Sequence, residues 1–349
     1  MKLTPTRRQS LQWLAAGLAA GCAARPATSE QPQTASGWRD GPSLPFPVQE
    51  IYPCLHAGRI HLAGGFIAED GRITGPTAAH NALDLETGTW QPLAELPVAR
   101  HHPQLVSVNG ALHCIGGFQS GPEGGWQMQS SAWRYDANGD TWLPAPSLPV
   151  VNGESSGGII RGKLYLAGGR QPSGTRNLDW NDHTDVGTLL CFDGARWEVL
   201  ASMPTARNSA IAGVLDGRLH VVAGRTVDGG NTAVHEVYDP GTDRWETLAP
   251  MPRAQGGLAS GVVNGKLYTF GGEWFDNGGG VYEDAWVYDP RTDRWSAIED
   301  MPKPRHGLGG VTVGSDIYLI GGALERGGRD LYALTRRPPR ANSPHVRYT

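Results

Sequence analysis

The sequence predicts an all-β fold built from six like units, each a four-stranded antiparallel sheet, and three observations carry that prediction. Trp38, Trp90, Trp142, Trp197, Trp245 and Trp295 recur at intervals of 52, 52, 55, 48 and 50 residues, a period that marks repeated supersecondary units. Each lies 26 residues before a small-residue pair: Gly64-Gly65, Gly116-Gly117, Gly168-Gly169, Ala223-Gly224, Gly271-Gly272 and Gly321-Gly322. The return from pair to tryptophan takes 26, 26, 29, 22 and 24 residues, so one loop per unit holds the length variation. Third, 49 Gly and 26 Pro in 349 residues supply turns, and no helix-length amphipathic run follows residue 25. The period is uninterrupted, which argues for one large domain.

At the N-terminus, Lys2, Arg7 and Arg8 precede an apolar stretch from Leu11 to Gly21. It is too short for a stable bilayer anchor and suits the core of an export signal. Thr6-Arg7-Arg8-Gln9-Ser10-Leu11 resembles a twin-arginine signal, and Ala19-Ala20-Gly21-Cys22 resembles a lipoprotein box that would lipidate Cys22. Residues 1–21 are thus expected to be an export signal and residues 22–35 a flexible linker. The expected location is the periplasm or cell envelope, with a lipid anchor as the only membrane contact. Loss of residues 1–21 removes three bases and no acids, taking the formal charge from −4 to −7, with 34 acids against 27 bases. That balance leaves no basic footprint for nucleic acid.

Within a unit the order is constant. Gly261-Val262-Val263-Asn264-Gly265-Lys266-Leu267-Tyr268-Thr269-Phe270 reads as strand a, a tight Asn-Gly turn and strand b, ending at the glycine pair. After the variable loop, Ala285-Trp286-Val287-Tyr288 gives strand c, Asp289-Pro290-Arg291-Thr292-Asp293 a turn, and Arg294-Trp295 opens strand d. Phe192 and Leu83 replace the tyrosine in units three and one. Trp38 has no pair before it and the last pair has no tryptophan after it. Trp38 to Pro45 should therefore be a strand d that completes the last unit, beside strands near Val311, Ile317 and Tyr332. Arg336 to Thr349 reads as a basic, Pro-rich disordered tail.

Glycine pairs, an aromatic and a tryptophan seven residues after it, at a period near fifty, resemble the Kelch family. The resemblance covers about residues 36–335 and implies a six-bladed β-propeller, its ring closed by the N-terminal strand joining the last blade. Each tryptophan would then fill a wedge between blades. Cys54, Cys114 and Cys191 remain in the domain; apolar packing and a Cys54–Cys114 bridge are the alternatives.

Strand parity locates a functional face. Four antiparallel strands put the d–a links and the b–c loops on one side, where the length variation lies. Aligning the Leu-Pro and Met-Pro pairs collects Gln49 and Glu50; Arg100, His101 and His102; Asn152 and Glu154; Arg207 and Asn208; Arg253 and Gln255; Arg305 and His306. Phe66, Phe118, Arg170, Arg225, Glu273 and Ala323 follow the small pairs and should edge the same mouth. The candidate ligand-binding residues are therefore Arg100, His102, Glu154, Arg170, Arg207, Arg225, Arg305 and His306. Arginine forks suit carboxylates and phosphates, so an anionic ligand is the expectation; structural arginines bonding carbonyls are the alternative. His61, His113 and His220 stand where other units have Tyr165, Tyr268 and Tyr318, which signals packing. The acidic loop from Asp179 to Asp185 lacks the glycine and glutamate of an EF-hand, and neither a cofactor nor a metal is expected.

The expected function is an exported recognition module whose channel face binds an anionic or sugar-like ligand or a partner segment. Resemblance to sialic acid mutarotase, a six-bladed Kelch protein, implies an alternative. There Glu273 would be the acid-base group, with Arg207 and Arg305 holding the carboxylate. A copper radical oxidase like galactose oxidase is a further alternative, but its paired histidines and linked tyrosine find no counterpart.

Overall fold

The computed structural model describes residues 37–70, 72–121, 124–327, 329–331 and 334–337. The expected export signal, Cys22, the linker and most of the tail lie outside these residues. Each repeat folds as read, with its second strand buried on both faces: Ala259–Val263 and Lys266–Phe270 pair across the Asn264-Gly265 turn, where φ is +51° and +70°. Those are the left-handed values such a hairpin turn requires. Six four-stranded antiparallel sheets result, five of them with their strands in chain order. In the sixth, Arg39–Ser43 pairs with Leu334–Arg337, so the N-terminal strand completes the last blade. This corrects the tail boundary, because Arg336 and Arg337 belong to that strand.

The core is divided among the six seams. Each apolar cluster draws on two adjoining blades; Trp38 packs with Phe270 and Leu319, for instance, between blades five and six. The tryptophans also bind across the seams. Trp142, Trp197, Trp245 and Trp295 donate from Nε1 to a carbonyl of the preceding blade, at 2.7–3.0 Å. Beside three of them a turn aspartate holds a tyrosine and the backbone of that same preceding blade. Asp293 Oδ1 accepts from Tyr288 Oη (2.9 Å) and Ala249 N (3.0 Å), and Asp140 and Asp243 repeat the pattern. Phe192 lacks the hydroxyl this latch needs. Glycine pairs sit where the next link passes: a Cβ on Gly271 would lie 2.3 Å from Arg305 O, and its φ is +69°. Cys54, Cys114 and Cys191 are free thiols.

Two buried histidine pairs occupy one repeat position in blades one and four. His80 donates from Nδ1 to Ala94 O (3.3 Å) and accepts from His61 Nδ1 at Nε2 (3.0 Å). His235 does the same with Ala249 O (3.2 Å) and His220 (2.9 Å). Burial, reinforced by the neighbouring ring for His61 and His220, lowers His61 and His220 to about 3; burial lowers His80 and His235 to about 4. All four are neutral when folded, whereas the unfolded chain takes up protons near pH 6.5. Their stabilisation is therefore complete above about pH 6.5 and drains away as pH falls towards 4, by up to about 1.4 kcal/mol per pH unit per histidine. Urea unfolding should show a midpoint that drops steeply from pH 6.5 to pH 4. A flat midpoint over that range would overturn the assignment.

Candidate functional site

The links into strand a converge on a backbone collar. Glu50, His102, Glu154 and Ser209 have φ of +55°, +51°, +57° and +48°, and Gly257 and Gly307 have +71° and +59°. Five of the six N–H groups reach the carbonyl of their counterpart in the preceding blade: Glu50 to Gly307 (2.7 Å), His102 to Glu50 (2.9 Å), Ser209 to Glu154 (3.1 Å), Gly257 to Ser209 (3.0 Å) and Gly307 to Gly257 (3.0 Å). Left-handed backbone at non-glycine residues costs roughly 1–3 kcal/mol each and gathers at functional sites. The space at the collar is about 10 Å³, room for one water. It separates an uncharged channel of about 510 Å³, lined by the inner strands, from a mouth pocket of about 430 Å³.

One residue before each collar position pairs with the residue after a small pair: Gln49 with Phe66, His101 with Phe118, Gly153 with Arg170, Asn208 with Arg225, Gly256 with Glu273 and His306 with Ala323. The second tier expected at the mouth therefore forms. The b–c connections that rise from it are not irregular loops but hairpins, such as Phe66–Glu69 with Arg72–Pro76 and Phe118–Ser120 with Trp126–Met128.

Of the expected ligand-binding residues, His102, Glu154, Arg170, Arg225 and His306 join Glu50 and Glu273 in one buried network. Glu50 Oε2 accepts from His102 Nε2 (2.6 Å). Arg170 pairs with Glu154 (2.9 Å) and Arg225 with Glu273 (2.8 Å). His306 Nδ1 lies 3.3 Å from Glu273 Oε1 and 3.7 Å from Glu50 Oε1. Burial pushes Glu50 and Glu154 up, but the opposing charges prevail. His102 holds Glu50 far below the usual carboxylate range, and Arg170 with His102 brings Glu154 to about 2. The Nδ1 atoms of His101 and His102 share a hydrogen bond (2.7 Å), and the His101 ring is stacked between Phe66 and Phe118.

Arg100, Arg207 and Arg305 are not at the mouth, which corrects the expected arginine ring. They are 0–1% exposed. All three stand two residues before the collar, and the side chains of Arg100 and Arg207 turn back to the blade. Arg100 donates to Gly116 O and Ser131 Oγ and stacks on Trp133. Arg207 donates to Ala223 O, Thr205 O and Val221 O and pairs with Glu236. Asn152 and Gln255 take the same repeat position and bond Gly168 O and Gly271 O. Arginine here is a strut. The two arginines that do reach the mouth are already neutralised by Glu154 and Glu273.

The long loop of blade three roofs this charged half. Trp180 lies over Arg170 (4.2 Å) and Arg225 (5.8 Å) and donates from Nε1 to Val227 O. Asn177 bonds Met128 N and O, tying the loop to blade two. Asp182 accepts from the backbone of Leu178 and Asp179, and among the described residues no cluster of three His, Cys, Asp or Glu is placed for a metal ion. The aromatic half of the mouth stays open: Trp126 is 37% exposed beside Phe66. Sequence reasoning singled out neither Trp126 nor Trp180, because both lie in the variable loops.

Sheets, seams and collar define a six-bladed β-propeller with one individually shaped mouth. A family model described as the KLHDC2/KLHL20/DRC7 Kelch-repeats domain matches residues 150–322. Kelch-like protein terF of Aspergillus terreus is 28% identical over 217 residues, 60% of this chain and 46% of that protein. N-acetylneuraminate epimerase of Haemophilus influenzae is 32% identical over 91 residues, 25% of this chain and 24% of that protein. The chain thus spans less than half the length of these curated relatives. Among solved structures, YjhT shares the fold with a TM-score of 0.73 at 18% identity, covering 88% of this chain and 99% of that one. Residues 150–322 belong to the Kelch-repeat family, and the domain as a whole has the Kelch propeller fold.

Proposed function

We propose that this is an exported binding protein whose mouth pocket takes a small, hydroxyl-rich, sugar-like ligand. The observation that carries the reading is the pocket wall: Trp126 and Phe66 offer aromatic rings, Glu50 and Glu273 offer acceptors, and among the described residues no arginine lines it. Sugars present an apolar face and a rim of hydroxyl donors, which such a wall matches. An anionic ligand is disfavoured, because the arginines at this face already serve carboxylates.

Titration calorimetry with neutral hexoses, amino sugars and sugar acids tests it. At least one sugar should bind, and Trp126→Ala should weaken that binding about tenfold with melting unchanged. Failure of every sugar to bind would overturn the reading. A mutarotase is the second reading, supported by the Glu273–His306 contact on the pocket wall. Opening a hemiacetal moves one proton off the anomeric hydroxyl and one onto the ring oxygen as the C–O bond breaks. In that case one-dimensional NMR would show catalysed anomer exchange that Glu273→Gln abolishes while affinity is kept; absence of exchange in the parent protein would exclude it.

A further inference from the structure

The proton inventory of the mouth pocket does not close. His306 is 1% exposed, and its Nε2 donates to Glu325 O (3.1 Å). A neutral ring therefore presents a bare lone pair at Nδ1. That atom has no hydrogen-bond partner, yet it faces Glu273 Oε1 at 3.3 Å and Glu50 Oε1 at 3.7 Å. Gln49, 2% exposed, also lines the pocket and has its side-chain oxygen unpaired. Of these side chains only Gln49 brings a further donor, its amide N–H₂, so acceptors outnumber donors in this space.

The charges are equally lopsided. Glu273 is answered by Arg225, and Glu154 by Arg170. Glu50 has His102 on its Oε2 and His306 beside its Oε1, while Arg225, whose charge also reaches it, is bonded to Glu273. The rings of Phe66 and Trp126 stand in the same wall, and aromatic rings attract cations.

We infer that the mouth pocket recognises an ammonium group, its ligand being a small hydroxylated amine such as an amino sugar. An ammonium brings three donors and one positive charge to a floor of acceptors, and its carbon frame lies against the aromatic wall. The inference rests on the sugar-like reading above and narrows it to the opposite charge from that first expected. A proton on His306 Nδ1 is the rival occupant, since it too would satisfy the neighbouring carboxylates.

Matched pairs of amines and their N-acetyl derivatives separate these cases: glucosamine, galactosamine and mannosamine against the three acetylated sugars, with glucuronate as the anion. Calorimetry at pH 7.5 should show at least one free amine binding tenfold or more tighter than its acetyl partner. Glu50→Gln should erase that preference, and Trp126→Leu should reduce it with no change in melting temperature. Equal binding within every pair would leave the sugar reading standing and sink the ammonium, giving the site to the His306 proton. Glucuronate as the tightest ligand would overturn the inference and bring the roofed arginines back. Binding of none of these compounds would remove both readings together.

Discussion

Arg207→Ala should cost about 3–5 kcal/mol of stability and leave ligand binding by the folded protein unaltered. The guanidinium is fully enclosed, and its removal abandons Glu236, itself 1% exposed, with only the Thr205 N–H and hydroxyl as partners. It also removes the bonds to the carbonyls of Ala223 and Val221. A lone buried carboxylate is worse than no charge at all, so replacing Arg207 and Glu236 together by leucine should recover much of the loss. Urea unfolding of the two variants measures this directly. Unchanged melting together with lost ligand affinity would return Arg207 to the binding site.

Nearly as large an effect is expected at the closure of the ring. Trp38 is 8% exposed and meets Phe270 edge-on at 5.8 Å in the seam between blades five and six, while Leu44 belongs to the seam between blades six and one. Trp38→Ala should cost about 3–5 kcal/mol. Deleting residues 36–45 removes both seam anchors and the partner of Leu334–Arg337, exposing a strand edge and ending cooperative unfolding. Deleting residues 23–34 should change nothing measurable. Equal melting curves for the two truncations would show that the Arg39–Ser43 strand does not hold the ring.

The fold could be read because its determinants are local and repeated six times. Tryptophan spacing, the small pairs and the Asn-Gly turns each state the same geometry, and the unmatched Trp38 disclosed the closure. The second tier of the mouth, from Phe66 to Ala323, followed from parity alone. The struts were misplaced for a physical reason: collar and strut lie two residues apart in extended chain, a separation at which parity cannot say whether a long side chain turns outward or back. The clue was present, since Arg100, Arg207 and Arg305 share a repeat position with Asn152 and Gln255, and interchange among donors at one position marks a conserved geometry of bonding carbonyls. The same logic read His61 and His220 correctly as packing residues, although their partners His80 and His235 went unremarked. Nothing in the sequence announces left-handed backbone at Glu50, His102 and Glu154. That conformation is imposed by the ring of hydrogen bonds, which is a property of six blades together.

The collar also settles traffic. With about 10 Å³ free at its centre, the collar has room for a water and none for a sugar, and a sugar-sized occupant of the mouth must arrive and depart through one doorway. Exchange rates are then governed by the hairpins around that doorway, at Ile73–Gly75 and Gly327, and by nothing on the far side. The opposite face is consequently a neutral handle: fastening the protein by its short a–b turns, to a bead, a sensor surface or a fusion partner, should leave both arrival and departure of the ligand untouched.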